Sequence, residues 1–364
     1  MIAELPSYLE SLGGGAYKGF IFVAFTFTAM LTRPISGKLS DTIGRKPVIF
    51  IGLFVSFICG LLYPVLNFML GFLCLRLLNG LATGFAPTGT STYIADIVPP
   101  ARVGEAMGVL GLISNIGTAI APYMGSEIAK LKDYGGLNLM FYTSSMLAVI
   151  AMLLILTLPE SLPDRQKFTW SLLRLHKAEL AERSAFPPSL IMFFSVYAFG
   201  VVLTTMPDFS LSLGFQNKGM FFMYYTLSSL GIRFVAGKLS DVYGRVVMLR
   251  VGLLVLAIAL AYLAYAKTWV DVMIGGILYG ISVGINSPTL FAWTIDLCPT
   301  ETRGKAIATI FIALEAGILM GALLTNYMYA NDLANITTVY LVAMLFALAA
   351  WAYLQFVVCR QAQK

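Results

Sequence analysis

Four ionisable residues stand in apolar stretches, away from the basic loops: Glu4, Glu127, Asp208 and Glu315. A carboxylate removed from water is pushed toward its neutral acid, so a buried one takes up and releases protons near neutral pH. Glu315 is the sharpest case, flanked by Ile310–Leu314 and Ala316–Met320. A carboxylate in mid-span is a functional residue by default, here one that binds a proton or cation. The other reading is a structural bond across helices to Asn286 or Tyr279. Asp208 and Glu4 flank Pro207 and Pro6 near the ends of their apolar runs, where proton coupling and a solvated rim charge are both open. Glu127 reads as a solvated helix-end charge. The single histidine, His176, falls in a polar central segment, so the apolar stretches lack the usual switch near neutral pH.

Other chemistries find no footing. No nucleophile and base, phosphate loop or metal set occurs at a usable spacing, and Cys59, Cys74, Cys298 and Cys359 lie in or beside apolar runs. Neither an enzyme nor a cofactor is expected. Aromatic and amide side chains supply candidates for a cavity lining: Phe25, Asn115, Phe199, Tyr224, Tyr225, Asn286, Phe291 and Trp293. Such a lining suits lipophilic or cationic organic compounds, although each aromatic fits plain helix packing as well.

The elements that position these residues are membrane helices. Of the 364 residues 59% are hydrophobic and 12% charged, against about 25% charged in soluble domains. Runs long enough for a bilayer core recur along the chain at roughly 17–37, 47–66, 69–95, 103–127, 137–158, 189–213, 218–237, 247–266, 270–297, 304–328 and 336–358. The net charge of +6 comes from residues scattered through short loops, not from a stripe that would bind nucleic acid. Lys38, Arg45, Lys46, Arg102, Lys238, Arg245, Arg303 and most other basic residues fall on one side of the alternating loops. Basic loops stay in the cytoplasm, which predicts a cytoplasmic C-terminus and a cytoplasmic 159–188 segment. That segment sets leucines and Trp170 among basic residues and is expected to form an amphipathic helix on the membrane surface.

The chain repeats itself at an offset of 200: Arg33 matches Arg233, Gly37-Lys-Leu-Ser-Asp41 matches Gly237-Lys-Leu-Ser-Asp241, and Gly44-Arg45 matches Gly244-Arg245. Gly80, Gly84, Asp96, Pro99 and Gly104 have mates at 280, 284, 296, 299 and 304. Glu315 answers Asn115. Two parallel halves about an axis along the membrane normal are expected: a helical bundle over 1–158, the central loop over 159–188, and a second bundle over 189–364. Pro6 answers Pro207, yet only five residues precede it, so the first span is expected to survive as a remnant from Met1 to about Leu12. The prediction is an all-α polytopic protein of two six-helix bundles, with eleven complete spans and that remnant.

The repeated loop has readable physics. Glycine permits a tight turn and close backbone approach. Asp41 can sit at the positive N-terminal end of a neighbouring helix, and Arg45 can form a bidentate pair with a carboxylate such as Asp96. Asp241, Arg245 and Asp296 are the symmetric set. Gly37 to Lys46 also resembles the loop signature of the major facilitator superfamily, Gly-x-Leu-x-Asp-x-x-Gly-Arg-Lys, and the second copy departs from it at Val246. The resemblance implies that these residues latch the halves together on the cytoplasmic side. Topology fixing and helix capping alone would use the same residues.

Two further motifs follow the same resemblance. Leu73-x-x-Arg76-x-x-Asn79-Gly80 is similar to the family's arginine-bearing helix motif, with Asn79 in place of the usual Gln, which makes Arg76 a candidate coupling residue. Gly108, Gly117, Ala121-Pro122 and Gly125-Ser126 resemble its antiporter motif, a bent helix with a small-residue face. In the family that motif accompanies export. The resemblance therefore implies proton-coupled efflux of small organic or drug-like compounds by alternating access. Its implied partners are the substrate, protons and membrane lipids, for a monomer in a bacterial inner membrane. Proton symport of a sugar, amino acid or organic anion is the alternative, and a transport-inactive receptor or scaffold the reading from another class.

Overall fold

Long helices account for nearly all of the computed structural model, which describes residues 9, 12, 18–129, 131, 136–176, 179–214, 220–330 and 332–362. They are α1 (Lys18–Thr42), α2 (Arg45–Leu62), α3 (Met69–Ile97), α4 (Val103–Ala129), α5 (Gly136–Thr157), α6 (Phe186–Ser212), α7 (Met220–Tyr243), α8 (Arg245–Ala264), α9 (Trp269–Leu297), α10 (Arg303–Tyr329) and α11 (Ile336–Ala362). No strand occurs among the described residues. Eight helices, α2, α3, α5, α6, α8, α9, α10 and α11, are long and apolar enough to cross a membrane. The other three, α1, α4 and α7, have 25, 27 and 24 residues, sufficient length for a bilayer core at about 1.5 Å per residue. α1 and α7 each end in the repeated charged motif, which dilutes their apolar character. Of the expected first-span remnant only Leu9 and Leu12 are among the described residues, and Leu9 packs against Cys59, Tyr63, Phe72 and Phe141.

The sequence repeat is also a packing repeat. α1 lies on α3 and α2 on α3 and α5, and the second half answers with α7 on α9 and α8 on α9 and α11. The repeated glycines permit the first of these contacts. A Cβ on Gly80 would strike the carbonyl of Phe25, and one on Gly280 the carbonyl of Tyr225. With no water inside a bilayer to drive helix association, such close approach is a main source of attraction.

The helices group into two compact units. One comprises 1–97, 116–182 and 299–309; the other comprises 98–115, 183–298 and 310–364. Each unit thus takes in a short segment of the opposite sequence half, the start of α10 in the first and the start of α4 in the second. The first unit has apolar clusters around Tyr63 and Phe141 and around Leu39, Val48 and Phe85. The second centres on Tyr197, Val201, Leu260, Tyr279 and Tyr340, with another cluster at Leu249, Leu290 and Trp293.

Between α5 and α6 the described residues include the short 3-10 turns Trp170–Leu173 and Arg183–Ala185, in place of the expected amphipathic helix. The backbone of this segment is engaged elsewhere. Gln166 N–H donates to the Thr42 carbonyl at 2.9 Å and the Arg174 carbonyl accepts from Lys38 Nζ at 2.9 Å. A helix would need those groups for its own ladder.

Candidate functional site

The repeated charged motifs build two similar clusters, one inside each unit. In the first, Asp41 ends α1 beside the start of α10, where a helix leaves its leading N–H groups without partners. Its two carboxylate oxygens accept from Gly304 N–H at 2.7 Å and Lys305 N–H at 2.8 Å. The positive end of the helix favours the anion there. Only glycines allow the approach, since a Cβ on Gly37 would lie 2.9 Å from the Gly304 carbonyl. Arg45 opens α2 after Gly44, whose φ of 118° is a left-handed conformation that suits glycine. Its Nε donates to Asp96 Oδ2 at 2.9 Å while Nη1 faces Asp41 Oδ1 at 3.3 Å. The guanidinium therefore bridges two carboxylates instead of pairing bidentately with one, because Asp41 and Asp96 approach its fork from different helices.

The second cluster repeats the plan. Asp241 accepts from Gly104 N–H at 2.9 Å and Glu105 N–H at 2.8 Å at the start of α4. Arg245 donates through Nε to Asp296 at 2.7 Å and through Nη1 to Asp241 and to Ser240 Oγ. Gly237 meets the Gly104 carbonyl, and Gly244 has φ of 91°.

The sequence motif does not reveal what surrounds the first cluster. Arg303 brings a second cation to Asp96 at 2.9 Å, and Ser161 Oγ donates to the same carboxylate. Glu160 accepts from the Arg45 and Lys46 N–H groups at 2.9 and 3.1 Å, capping α2 from outside. Farther along the central segment, Glu179 pairs with Lys38 at 2.8 Å and Glu182 with Lys305 at 2.7 Å. The His176 N–H and then the Lys38 ammonium hold Glu179 below the usual carboxylate range, so that link stays ionised across neutral pH. Glu160, Ser161 and Arg303 carry no repeat signal, since Arg360, Gln361 and Val103 stand at the 200-residue offset; only the three-dimensional arrangement assigns them, as it does Glu179 and Glu182.

Within the helices, Arg76 is buried and its guanidinium lies 4.7 Å from the centre of the Phe25 ring, joining two residues singled out separately in the sequence. The Phe199 and Tyr225 rings are 6.1 Å apart, and Tyr225 meets Tyr279 in a tilted contact at 5.5 Å. Tyr224 packs at the edge of the same cluster. Asn286 is buried and donates to Ser282 Oγ at 3.1 Å, one turn away on α9. Phe291 packs on Phe311 at 4.9 Å, and Trp293 lies in the apolar cluster with Leu249 and Leu290. Glu315 is 8% exposed on α10, and Asp208 is exposed on α6 just past Pro207. Asn115 is half-buried on α4, and Glu4 lies outside the described residues. In the antiporter-like motif, Gly108 lets α4 approach the Arg233 carbonyl, Gly117 faces open space, and Gly125 is buried. Pro122 lies on the same helix, and its side chain is outside the described residues.

Two buried arginines are not among the sequence candidates, although their repeat register gives a signal. Arg33 is 2% exposed and donates to Thr88 Oγ1 at 3.0 Å. Arg233 donates to Ser229 Oγ at 3.2 Å, and its guanidinium fills the space beside Gly111 of α4. Arginine at membrane depth is costly and is retained where protein groups or a polar path compensate it.

Comparison with known proteins gives this geometry a family. The Major Facilitator Superfamily profile matches residues 1–232 and 189–361. An uncharacterized MFS-type transporter of Methanocaldococcus jannaschii, MJ1560, is 24% identical over 94% of this chain and 89% of its own length. The multi-drug resistance efflux pump PmrA of Streptococcus pneumoniae is 28% identical over 88% of this chain and 82% of its own. Among solved structures, the human organic anion transporter MFSD10 (TETRAN) superposes with a TM-score of 0.82 at 18% identity, covering 97% of this chain and 94% of that one. At that identity the superposition speaks for the fold alone. A profile match along almost the whole chain, on helices that repeat the same charged cluster twice, leads to one conclusion: the protein belongs to the major facilitator superfamily and is a multi-pass membrane transporter, not an enzyme.

Proposed function

We propose that the protein exports small organic compounds in exchange for protons, as a monomer in a bacterial inner membrane with its C-terminus in the cytoplasm. The observation that carries the export direction is the likeness to a multi-drug efflux pump over 88% of the chain. The antiporter-like small-residue face of α4, with Gly108 against the α7 backbone, supports it. The orientation rests on the one-sided distribution of Lys and Arg.

In this reading the Asp41 and Asp241 clusters are latches that hold the cytoplasmic ends of the helices together and must both release before that side opens. Each couples a loop of one sequence half to a helix start of the other, so a single opening motion breaks both. Glu315 is the proton carrier. It is a carboxylate buried on an apolar helix, a placement that is costly in a membrane protein and is retained for function. Arg76, fixed over Phe25, is the counter-charge that biases the first unit, and Asp208 offers a rim site for proton entry. Phe25, Phe199, Tyr224, Tyr225 and Asn286 supply aromatic and amide surface for an organic substrate.

The test is transport in liposomes with an imposed pH gradient, using ethidium as the organic cation. Ethidium and protons should move in opposite directions, and Glu315→Gln should reduce gradient-driven movement to the level of empty liposomes. Movement of both in the same direction, or full gradient-driven activity in Glu315→Gln, would overturn the proposal.

A further inference from the structure

Beside the Asp41 cluster, the start of α2 and the end of α5 line an open cavity of about 540 Å³. Its walls are apolar, chiefly Phe50, Ile51, Ile155 and Leu156, while Lys46 and Arg165 stand in its lining as cations. We propose that it binds the headgroup and first acyl carbons of an anionic phospholipid.

Charge and position both favour that occupant. Lys46 Nζ rests on the Leu156 and Leu158 carbonyls at the end of α5, and neither it nor Arg165 forms an ion pair with a carboxylate among the described residues. The acid in the lining, Glu160, is committed to backbone N–H groups: Oε1 accepts from Arg45 and Ser161, and Oε2 from Lys46. The mouth therefore presents two available positive charges. Below it, Phe54 on α2 and Ile150, Leu153 and Leu154 on α5 are exposed, an apolar track that continues the cavity floor along both helices. A soluble phosphate or an acidic peptide would gain from the cations but nothing from that track. A phospholipid uses both, and anionic headgroups are drawn to basic groups at the membrane surface.

The two repeats differ here. Val246 stands where Lys46 does, so the second cluster lacks a basic residue after its arginine. Lys46 follows Arg45 directly and both share Glu160, so a lipid held by Lys46 braces the start of α2 from outside.

Native mass spectrometry of the full chain, released from nanodiscs of phosphatidylcholine with or without phosphatidylglycerol, tests the proposal. One phosphatidylglycerol should stay bound to the natural protein and to Lys267→Gln, a charge-matched change at an exposed loop position. Binding to Lys46→Gln/Arg165→Gln should be roughly thirtyfold weaker, the loss expected for two surface cations. Arg165→Gln alone changes only an exposed side chain, so a folding defect cannot account for its expected loss of about fivefold. Equal retention by these variants and the natural protein overturns the proposal. So does retention of phosphatidylcholine as firmly as phosphatidylglycerol, or displacement of the lipid by inorganic phosphate at equal headgroup concentration, which would make the cavity a soluble-anion site.

Discussion

Asp41 and Asp241 receive the same pair of hydrogen bonds from the start of a helix, yet the clusters around them are not equally protected. In the first, the Arg45 and Asp96 side chains are 1% and 12% exposed, whereas in the second Arg245 and Asp296 are 10% and 35% exposed. Three additions account for the difference: Arg303 as a second cation on Asp96, Glu160 as a cap on α2, and the central segment tied down through Lys38 and Lys305. The duplicated helices supply two equal clusters, and the linker between the halves, which occurs once, serves only one. On the proposed mechanism the Asp241 latch is the weaker of the two.

Five substitutions probe that difference, beginning with the largest expected effect. Asp41→Asn replaces the carboxylate that faces two helix N–H groups and Arg45, and transport in liposomes should fall about tenfold or more, since a buried donor left without its acceptor costs roughly 1–3 kcal/mol. Asp241→Asn should fall only severalfold. Ligand binding should change little in either, and equal losses for the two would remove the claimed asymmetry. Next, Glu160→Ala should lower the stability of the detergent-solubilised protein by about 1 kcal/mol through loss of a helix cap, read as a fall in apparent Tm. The same measurement has no counterpart among the described residues of the second cluster, where a Cβ at Gly244 would meet no atom within 4 Å.

Arg303→Val gives the first cluster the residue that stands at position 103 in the second. Hydrogen exchange at the Gly304 and Lys305 amides should then accelerate toward the rates at Gly104 and Glu105; unchanged exchange would mean that the second cation on Asp96 is inert. Smallest of all, Lys38→Gln removes a partly exposed pair with Glu179, for which about 0.2–1 kcal/mol is expected. Because Glu179 titrates below the usual carboxylate range, the natural pair should persist as pH falls through neutrality and be lost only under acid conditions. A loss of protection near pH 6 in the Lys38 segment would contradict that assignment.

Much of this was legible in the residues. Arg45 with Asp96, Arg245 with Asp296, and an acid at a helix start follow from charge, spacing and the offset of 200, because a repeat displays each contact twice. The helices followed from apolar runs, since a bilayer admits little else. The reading failed for the central segment. Its leucine and basic pattern suits an amphipathic helix, but Leu172 and Leu173 pack on Leu39, Ile43 and Val48 and the backbone bonds to α1. Local periodicity carries no information about a groove made by residues more than a hundred positions away. Phe291 and Trp293 show the same limit, since an aromatic suited to a cavity is equally suited to the packed cluster where they lie.

By itself the sequence determined the class of molecule, the helices, their duplication and the charged pairs that duplication repeats, because these depend on composition and on spacings along the chain. Which helix start each aspartate caps, that Glu160 and Arg303 reinforce one copy alone, and that Lys46 and Arg165 share an apolar cavity were decided only by tertiary structure. Those outcomes depend on distances between residues far apart in the chain, and nothing in their local neighbourhoods encodes them.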